Sequence, residues 1–489
     1  MNLIDYLIFG TYFLTVLAIG AFFYFKNKTR EDYFVGGRQI SWGHIGFSLV
    51  ATDVGGGFSI GLGGLGFLMG ISGSWLLFSG LAGAWMVAIL IIPKIKKLDE
   101  KHGFLTYPDF LLHRFSAKVA ITASVISGLG YLGFTGAQIL AGAKLAAGTV
   151  FSDVTVMDPI TLSLYLMAGV ILLYTVMGGL KAVIYTDTVQ WFVLLSGLFL
   201  FGIPFTFIKL GGWSGAVSDL SFEYFSQGWS ALTSQLPAAF FKLTNISPVQ
   251  WINWFVTIVP VWFVAMTLYQ RIYASKNTRN AQKAFYLAGL LEYPLMAFLG
   301  VFLGMAARIF FPETEAEMGM PMLLAKVLPM GIRGIVIAAY FSAIMSTADS
   351  CLIASSGNWV NDLLERYILR DRSDRSLMRW SQFITLIIGV IAVWIAASFN
   401  TVLEIILHAY AFMVSGLVVP TLGAYFWKKS DSAAALMSMF AGGGLTLVLI
   451  FANVSLPMNL DASIFGIGLS ALIFFPVSWI RYERQARYG

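Results

Sequence analysis

The sequence predicts an all-α protein that crosses a membrane about thirteen times. Three observations carry that expectation. Only 11% of the 489 residues are charged while 58% are hydrophobic, and the mean hydropathy is +0.78; a soluble domain is about a quarter charged. Apolar runs long enough to cross a bilayer recur along the whole length. The basic residues alternate between connecting segments in the pattern that such crossings impose.

The spans are expected near 3–25, 43–69, 73–94, 119–148, 159–177, 185–208, 249–269, 282–310, 333–356, 379–398, 402–427, 433–453 and 461–480. With the N-terminus outside and the C-terminus inside, all but six of the 31 Lys and Arg fall on the inner side; the six are Lys144, Lys209, Lys242, Arg308, Lys326 and Arg333. Adding or removing one span scrambles that division. The net charge of +6 is therefore a topology signal rather than a nucleic-acid footprint. One cysteine, Cys351, excludes an internal disulfide framework and a thiolate metal cluster.

The first run, MNLIDYLIFGTYFLTVLAIGAFFYF, has Asp5 and no basic residue before it. It reads as a retained span rather than a removable signal peptide. The second span, SWGHIGFSLVATDVGGGFSIGLGGLGF, holds Asp53 followed by Gly55, Gly56 and Gly57. Glycine lowers helix stability by up to about 1 kcal/mol per residue. A helix interrupted at membrane depth must have its freed carbonyls satisfied by protein, water or an ion. The later glycines, Gly63, Gly64 and Gly66, are explained by close helix packing.

After the third span, KIKKLDEKHGFLTYPDFLLHRFS is a basic amphipathic connector. The fifth and sixth spans are expected to turn at Gly178 and Gly179, with Lys181 inside. Asp187 then stands at the start of the sixth, where it serves equally well as a helix cap. The seventh span carries Pro260 in mid-helix, which removes a donor and kinks it. Trp251 and Trp254 suit the interface, and Trp262 is deep enough to line a pocket. Glu292 in span eight and His408 in span eleven are buried ionisable groups with an ordinary hydrogen-bonding role open to both.

The chemistry concentrates in span nine, FSAIMSTADSCLIASSGNWVN (341–361), whose centre bears Ser346, Thr347, Asp349 and Ser350. Hydroxyls in membrane helices often bond their own carbonyls and do nothing else. A carboxylate at that depth costs several kcal/mol and needs a cation, a proton or donors. Hard oxygens grouped on one turn suit a small hard cation, read here as sodium.

Spans two and seven are both interrupted, and each opens a group of five. Five is odd, so the two groups insert in opposite directions. That is the inverted-repeat plan whose paired breaks mark a transporter's binding site. The expected units are 1–42 (first helix and cytoplasmic loop), 43–208 (first repeat), 209–248 (external connector), 249–427 (second repeat) and 428–489 (two C-terminal helices and a basic tail). A redox or proton-pumping subunit would need paired His ligands or mid-membrane Lys relays, which the four His and the span centres do not supply. The short tail after Ile480 leaves no room for a signalling domain. A passive channel remains as the competing class.

DYFVGGR (Asp32–Arg38), GGLKAVIYTDTVQ (Gly178–Gln190), QRIYASKN (Gln270–Asn277) and AIMSTADS (Ala343–Ser350), in this order, resemble the sodium:solute symporter family. The resemblance implies a five-plus-five core and sodium-coupled import of a small solute across the plasma (bacterial inner) membrane. It implies a sodium site from the carbonyls of Ala51, Val54 and Ala343 and the hydroxyls of Ser346 and Thr347. A second cation, as in some members, would fall among Asp187, Ser346, Asp349 and Ser350. Asp349 replaces a hydroxyl residue of the two-sodium members. ATDVGGGF resembles both the proline and the choline branches. The choline branch cages its quaternary ammonium with a Trp at the position of Asp53 here and another near Ala265, so that cation–π mechanism is missing. Asp53, Gly55, Gly56, Phe58, Trp262, Met266 and His408 are the expected substrate residues. An acid beside the pocket favours an amino acid or other amino-bearing zwitterion, with monocarboxylates, sugars, sialic acids and choline-like cations as alternatives. The expected partners are sodium, a small solute and the lipid bilayer, with no nucleic acid and no obligate protein partner evident.

Overall fold

A computed structural model describes residues 2–26, 35–152, 157–215, 220–365, 374–452 and 454–488. Asp32–Phe34 of the first motif and the basic residues Lys28, Arg30, Arg366, Arg370 and Arg372 lie outside the described residues. So do the side chains of Phe58 and of 173–182, Lys181 among them.

Among the described residues the chain is helical, and its one strand-like feature is an isolated bridge between Ile40 and Ser275. Helix α1 (Leu3–Lys26) precedes α2 (Trp42–Val54), α3 (Gly56–Met69) and α4 (Trp75–Leu90). Then come α5 (Ala117–Thr149) and α6 (Pro159–Gly197). The second half holds α7 (Pro248–Val261), α8 (Met266–Ala274), α9 (Thr278–Leu291), α10 (Ala297–Phe310) and α11 (Ala316–Val327). It continues with α12 (Ile332–Trp359), α13 (Asp374–Ser398), α14 (Val402–Phe426), α15 (Ser432–Phe451) and α16 (Ala462–Tyr488).

Nine described helices are long and apolar enough to cross a bilayer, or ten with the bent pair α7–α8 counted as one span. The difference from thirteen arises where apolar stretches are cut short or interrupted. Leu3–Tyr12 of α1 and Pro159–Leu172 of α6 are apolar stretches that end where residues whose side chains lie outside the described ones begin, and α2 is only 13 residues long because the second span is broken. The turn expected at Gly178–Gly179 is not a break in the backbone: α6 is helical through both glycines. Glycine only weakens a helix interior and does not forbid it.

Helix α12 is the centre of the bundle. Its membrane window is 94% buried, the highest of any span, and it packs against α5, α6, α1 and α13. A segment enclosed by protein rather than lipid can carry polar groups at membrane depth, which is why the hydroxyls and Asp349 are tolerated there.

Candidate functional site

The second span breaks at Gly55, between Val54 and Gly56, with backbone angles φ 9° and ψ −171°. The break faces α12 at very short range. A Cβ on Gly55 would run into the Thr347 hydroxyl and lie 2.8 Å from Thr347 Cβ; one on Gly56 would overlap Ile344, with Ile344 Cβ at 2.7 Å. Absence of side chains here lets the two backbones approach, as small residues do in membrane bundles.

That approach brings oxygens together. Thr347 Oγ1 donates to Ala51 O at 2.8 Å and lies 3.2 Å from Ala343 O, and Ser346 Oγ donates to Ala343 O at 3.1 Å. All four residues are buried. Ala51 and Val54 belong to the last turn of α2, where the helix dipole is negative. A carbonyl-and-hydroxyl set at a half-helix C-terminus is the donor chemistry of a sodium site. Ala51, Ala343, Ser346 and Thr347 are thus brought together, and Val54 lies buried at the same helix end.

The second expected set gathers around a residue that sequence reasoning left in the cytoplasmic loop. Arg271, in α8, is fully buried. Its Nη2 donates to Thr52 Oγ1 (2.5 Å), Ser350 Oγ (3.0 Å) and Asp187 Oδ2 (3.5 Å). Its Nε donates to Ser48 Oγ at 3.0 Å, and its Nη1 to Thr267 O at 3.2 Å. Ser48 Oγ donates to Asp187 Oδ2 at 2.5 Å. Asp349 is fully buried on the same turn of α12. A guanidinium therefore stands among the oxygens of this set, joining α2, α6, α8 and α12. The signal that could have found it is proximity: Arg271 follows the seventh-span break by only six residues, so the helix after the break carries it back into the bundle.

The seventh span bends by 44° between α7 and α8. Pro260 lacks the N–H that would continue the ladder, and Trp262–Ala265 form the turn. Trp262 is 1% exposed and packs on Gly83 and Phe285. Met266 points elsewhere, its sulfur accepting the Tyr107 N–H at 3.2 Å. Asp53 and Glu292 face one another: a Cβ on Gly80 would lie 2.7 Å from Glu292 Oε2 and 3.5 Å from Asp53 Oδ2. Glu292 opens a π-helical turn, Glu292–Met296, that contains Pro294. His408 is separate from these. It lines a cavity of about 470 Å³ with Gly61, Gly64, Glu317, Thr401 and Asp461 among others.

The two ends of the bundle differ. At the His408 end the cavity is bordered by Glu315 and Glu317, which both pair with Lys144, Glu317 at 2.7 Å; Glu317 also accepts the N–H groups of Val402 (2.8 Å) and Leu403 (3.1 Å). At the other end Arg38 and Lys96 converge on buried Asp99 at 2.5 and 2.9 Å. Arg38 also donates to Phe104 O, and Lys96 to Tyr273 O. Ile40 N–H bonds Ala274 O at 3.2 Å. These contacts tie the segment before α2 to the end of α8.

The sequence profile of the Sodium:solute symporter family matches residues 33–442. The Sodium/myo-inositol cotransporter 2 of Oryctolagus cuniculus is 30% identical over 92% of this chain and 70% of its own length. The High-affinity proline transporter PutP of Bacillus subtilis (strain 168) is 29% identical over 95% of both chains. A solved structure of a Na+-coupled sialic acid symporter, described as a substrate-bound outward-open state, superposes with a TM-score of 0.76 at 20% identity, covering 98% of both chains.

Proposed function

This chain belongs to the sodium:solute symporter family, and from that premise we propose that it imports an amino-bearing zwitterion, a proline-like amino acid, by alternating access with one sodium ion per cycle. The protein is an integral membrane transporter that uses sodium, and it is not an enzyme. Its place in our reading is the bacterial inner membrane, with the N-terminus outside and two inverted five-helix repeats at 43–208 and 249–427.

The observation that carries the reading is the Thr347 hydroxyl reaching across to Ala51 O at the break of the second span. Sodium held by Ala51, Val54, Ala343, Ser346 and Thr347 ties α2 to α12 and fixes the pocket between the two breaks. The membrane potential adds about 2.3 kcal/mol per charge per 100 mV to its entry. One sodium rather than two follows from Arg271, whose positive charge already neutralises Asp187 among Ser48, Thr52 and Ser350. With the Arg38–Asp99–Lys96 cluster inside, that end is cytoplasmic and the 470 Å³ cavity lies at the outer end.

A polyol or sugar as substrate is the second reading, favoured by the myo-inositol relative. The test is uptake into proteoliposomes of labelled L-proline, myo-inositol and glucose with sodium or potassium outside. Sodium-dependent uptake of the amino acid, with exchange by unlabelled external solute, supports the proposal. Uptake of the polyol alone transfers the case to the second reading. Uptake indifferent to sodium, with protons excluded as driver, overturns symport through this site.

A further inference from the structure

We propose that Glu292 and Asp53 together form the seat of a substrate ammonium group that carries N–H donors, so that Glu292 sets the substrate class. The inference rests on the amino-bearing substrate proposed above and names the residue that selects it.

Glu292 is fully buried, and among the described residues its carboxyl oxygens receive no N–H or alcohol hydroxyl; the polar group beside them is the Asp53 carboxyl. Its position is built. The π turn at Glu292–Met296 inserts an extra residue into the helix, a feature that recurs at functional sites. Opposite it, Gly80 has no side chain, and a methyl there would press to 2.7 Å from Glu292 Oε2. The space so kept is shared by the Asp53 carboxyl.

Charge accounting points to the missing partner. Helix α4, packed against this turn, has no charged side chain. Helix α2 offers His44, whose ring contacts Thr188 at 3.0 Å near the other end of that helix. In α9, Arg279 and Lys283 lie nine or more residues before Glu292, at least about 13 Å along the axis. In α10, Arg308 donates to Phe67 O at 2.9 Å. Tyr293, beside Glu292, stacks with Trp75 and Phe78. The deep guanidinium of Arg271 is committed to Ser48, Thr52, Thr267, Ser350 and Asp187. Among the described residues, two adjacent carboxyls thus face each other, hydrogen-bonded to one another and without a cation beside them, and burying such a pair with no further partner is costly. An ammonium supplies both the charge and several donors. A quaternary ammonium supplies charge without donors, and a polyol supplies donors without charge.

The far side of the break carries the complementary group. Gln138 is fully buried; its Oε1 accepts the Gly57 N–H at 2.9 Å, and its Nε2 has no acceptor in the protein. Gly57 is four residues from Asp53, on the other side of the break. Acceptors near Asp53 and a waiting donor near Gly57 suit the two ends of an amino acid.

The test is a thermal-shift and calorimetric screen of the purified full chain in sodium and in potassium. The probes are the twenty common amino acids, glycine betaine, myo-inositol, glucose and lactate. The expected result is sodium-dependent binding of at least one amino acid, weakened on the order of tenfold or more by Glu292→Gln, since a hydrogen bond to a charged group is lost. Gly80→Ala, which crowds the same space, should weaken it as well. Stabilisation of both variants by sodium alone checks that they are folded. If amino-acid affinity stays within about twofold of the parent in both variants, the Glu292 assignment is wrong while amino-acid symport stands. If only a polyol, sugar, betaine or lactate binds, or no probe with an N–H amine does, both readings fall together.

Discussion

Replacing Thr347 by valine is the sharpest perturbation available, because it exchanges a hydroxyl for a methyl of nearly the same shape. The side chain is fully buried, so a smaller residue would leave a cavity, and valine does not. What is lost is one oxygen that sits 2.8 Å from Ala51 O and 3.2 Å from Ala343 O. A hydrogen-bond-like contact to a charged partner is worth about 1.5–3 kcal/mol, which is roughly 10- to 150-fold in sodium affinity. The assay is thermal unfolding across a sodium titration at constant ionic strength, with potassium as the balancing ion. Sodium at about 100 times its dissociation constant stabilises the parent by about 2.7 kcal/mol, and a hundredfold weaker site leaves about 0.4 kcal/mol. The fold itself should lose only about 1 kcal/mol, since Ala51 O still accepts the Gly55 N–H. Thr347→Ser restores the oxygen and should restore most of the response. A valine variant whose titration midpoint equals the parent's would refute the ligand assignment.

Three further outcomes are expected. Arg271→Met should destabilise the protein by about 3–5 kcal/mol, because Asp187 is left buried without its cation; adding Asp187→Asn should recover part of that loss in the melting temperature, and the parent's sodium titration should follow a single site. Asp99→Asn should free Arg38 and Lys96 and favour opening of the end that they tie together, read as faster thiol labelling of a cysteine placed at Ile40. Gly55→Ala should abolish most of the sodium-dependent stabilisation, since its methyl overlaps the Thr347 hydroxyl and pushes α12 from the break.

Much of the fold was legible because the membrane permits few backbone solutions. Apolar length read out helices, and the ends of α12, α14 and α15 lie close to the runs seen in sequence. Glycines at 55–57 and Pro260 marked both breaks, since each names a specific failure of the helical ladder. Gly178–Gly179 misled for the same reason in reverse: a glycine pair permits a turn without requiring one. Arg271 was hidden by the habit of assigning arginines to the cytoplasmic rim. Nothing local distinguishes a snorkelling arginine from one held by Ser48, Thr52, Ser350 and Asp187, because those partners come from three other helices. Glu292 was visible as a buried acid, but its neighbour Asp53 lies some 240 positions away. Pairings across the bundle need the fold.

The polar groups at the centre fall into kinds that differ in what each can afford to lose. Around Arg271 the charges and hydroxyls hold one another across four helices, and removing a member strands a buried charge. Such a cluster suits a fixed scaffold. The Thr347 cluster is different. Its hydroxyl donates to Ala51 O when it has a proton to offer, and can turn a lone pair toward a cation instead. Each arrangement satisfies its oxygens, so the two states lie within the few kcal/mol that a sodium gradient and membrane potential supply. A site built from carboxylates alone would hold its ion too firmly to release it inside, or be too costly to leave without it. In our reading, neutral oxygens at the break and a permanent guanidinium beside it are therefore one arrangement: Arg271 removes the need for a second cation, and Thr347 keeps the first exchangeable.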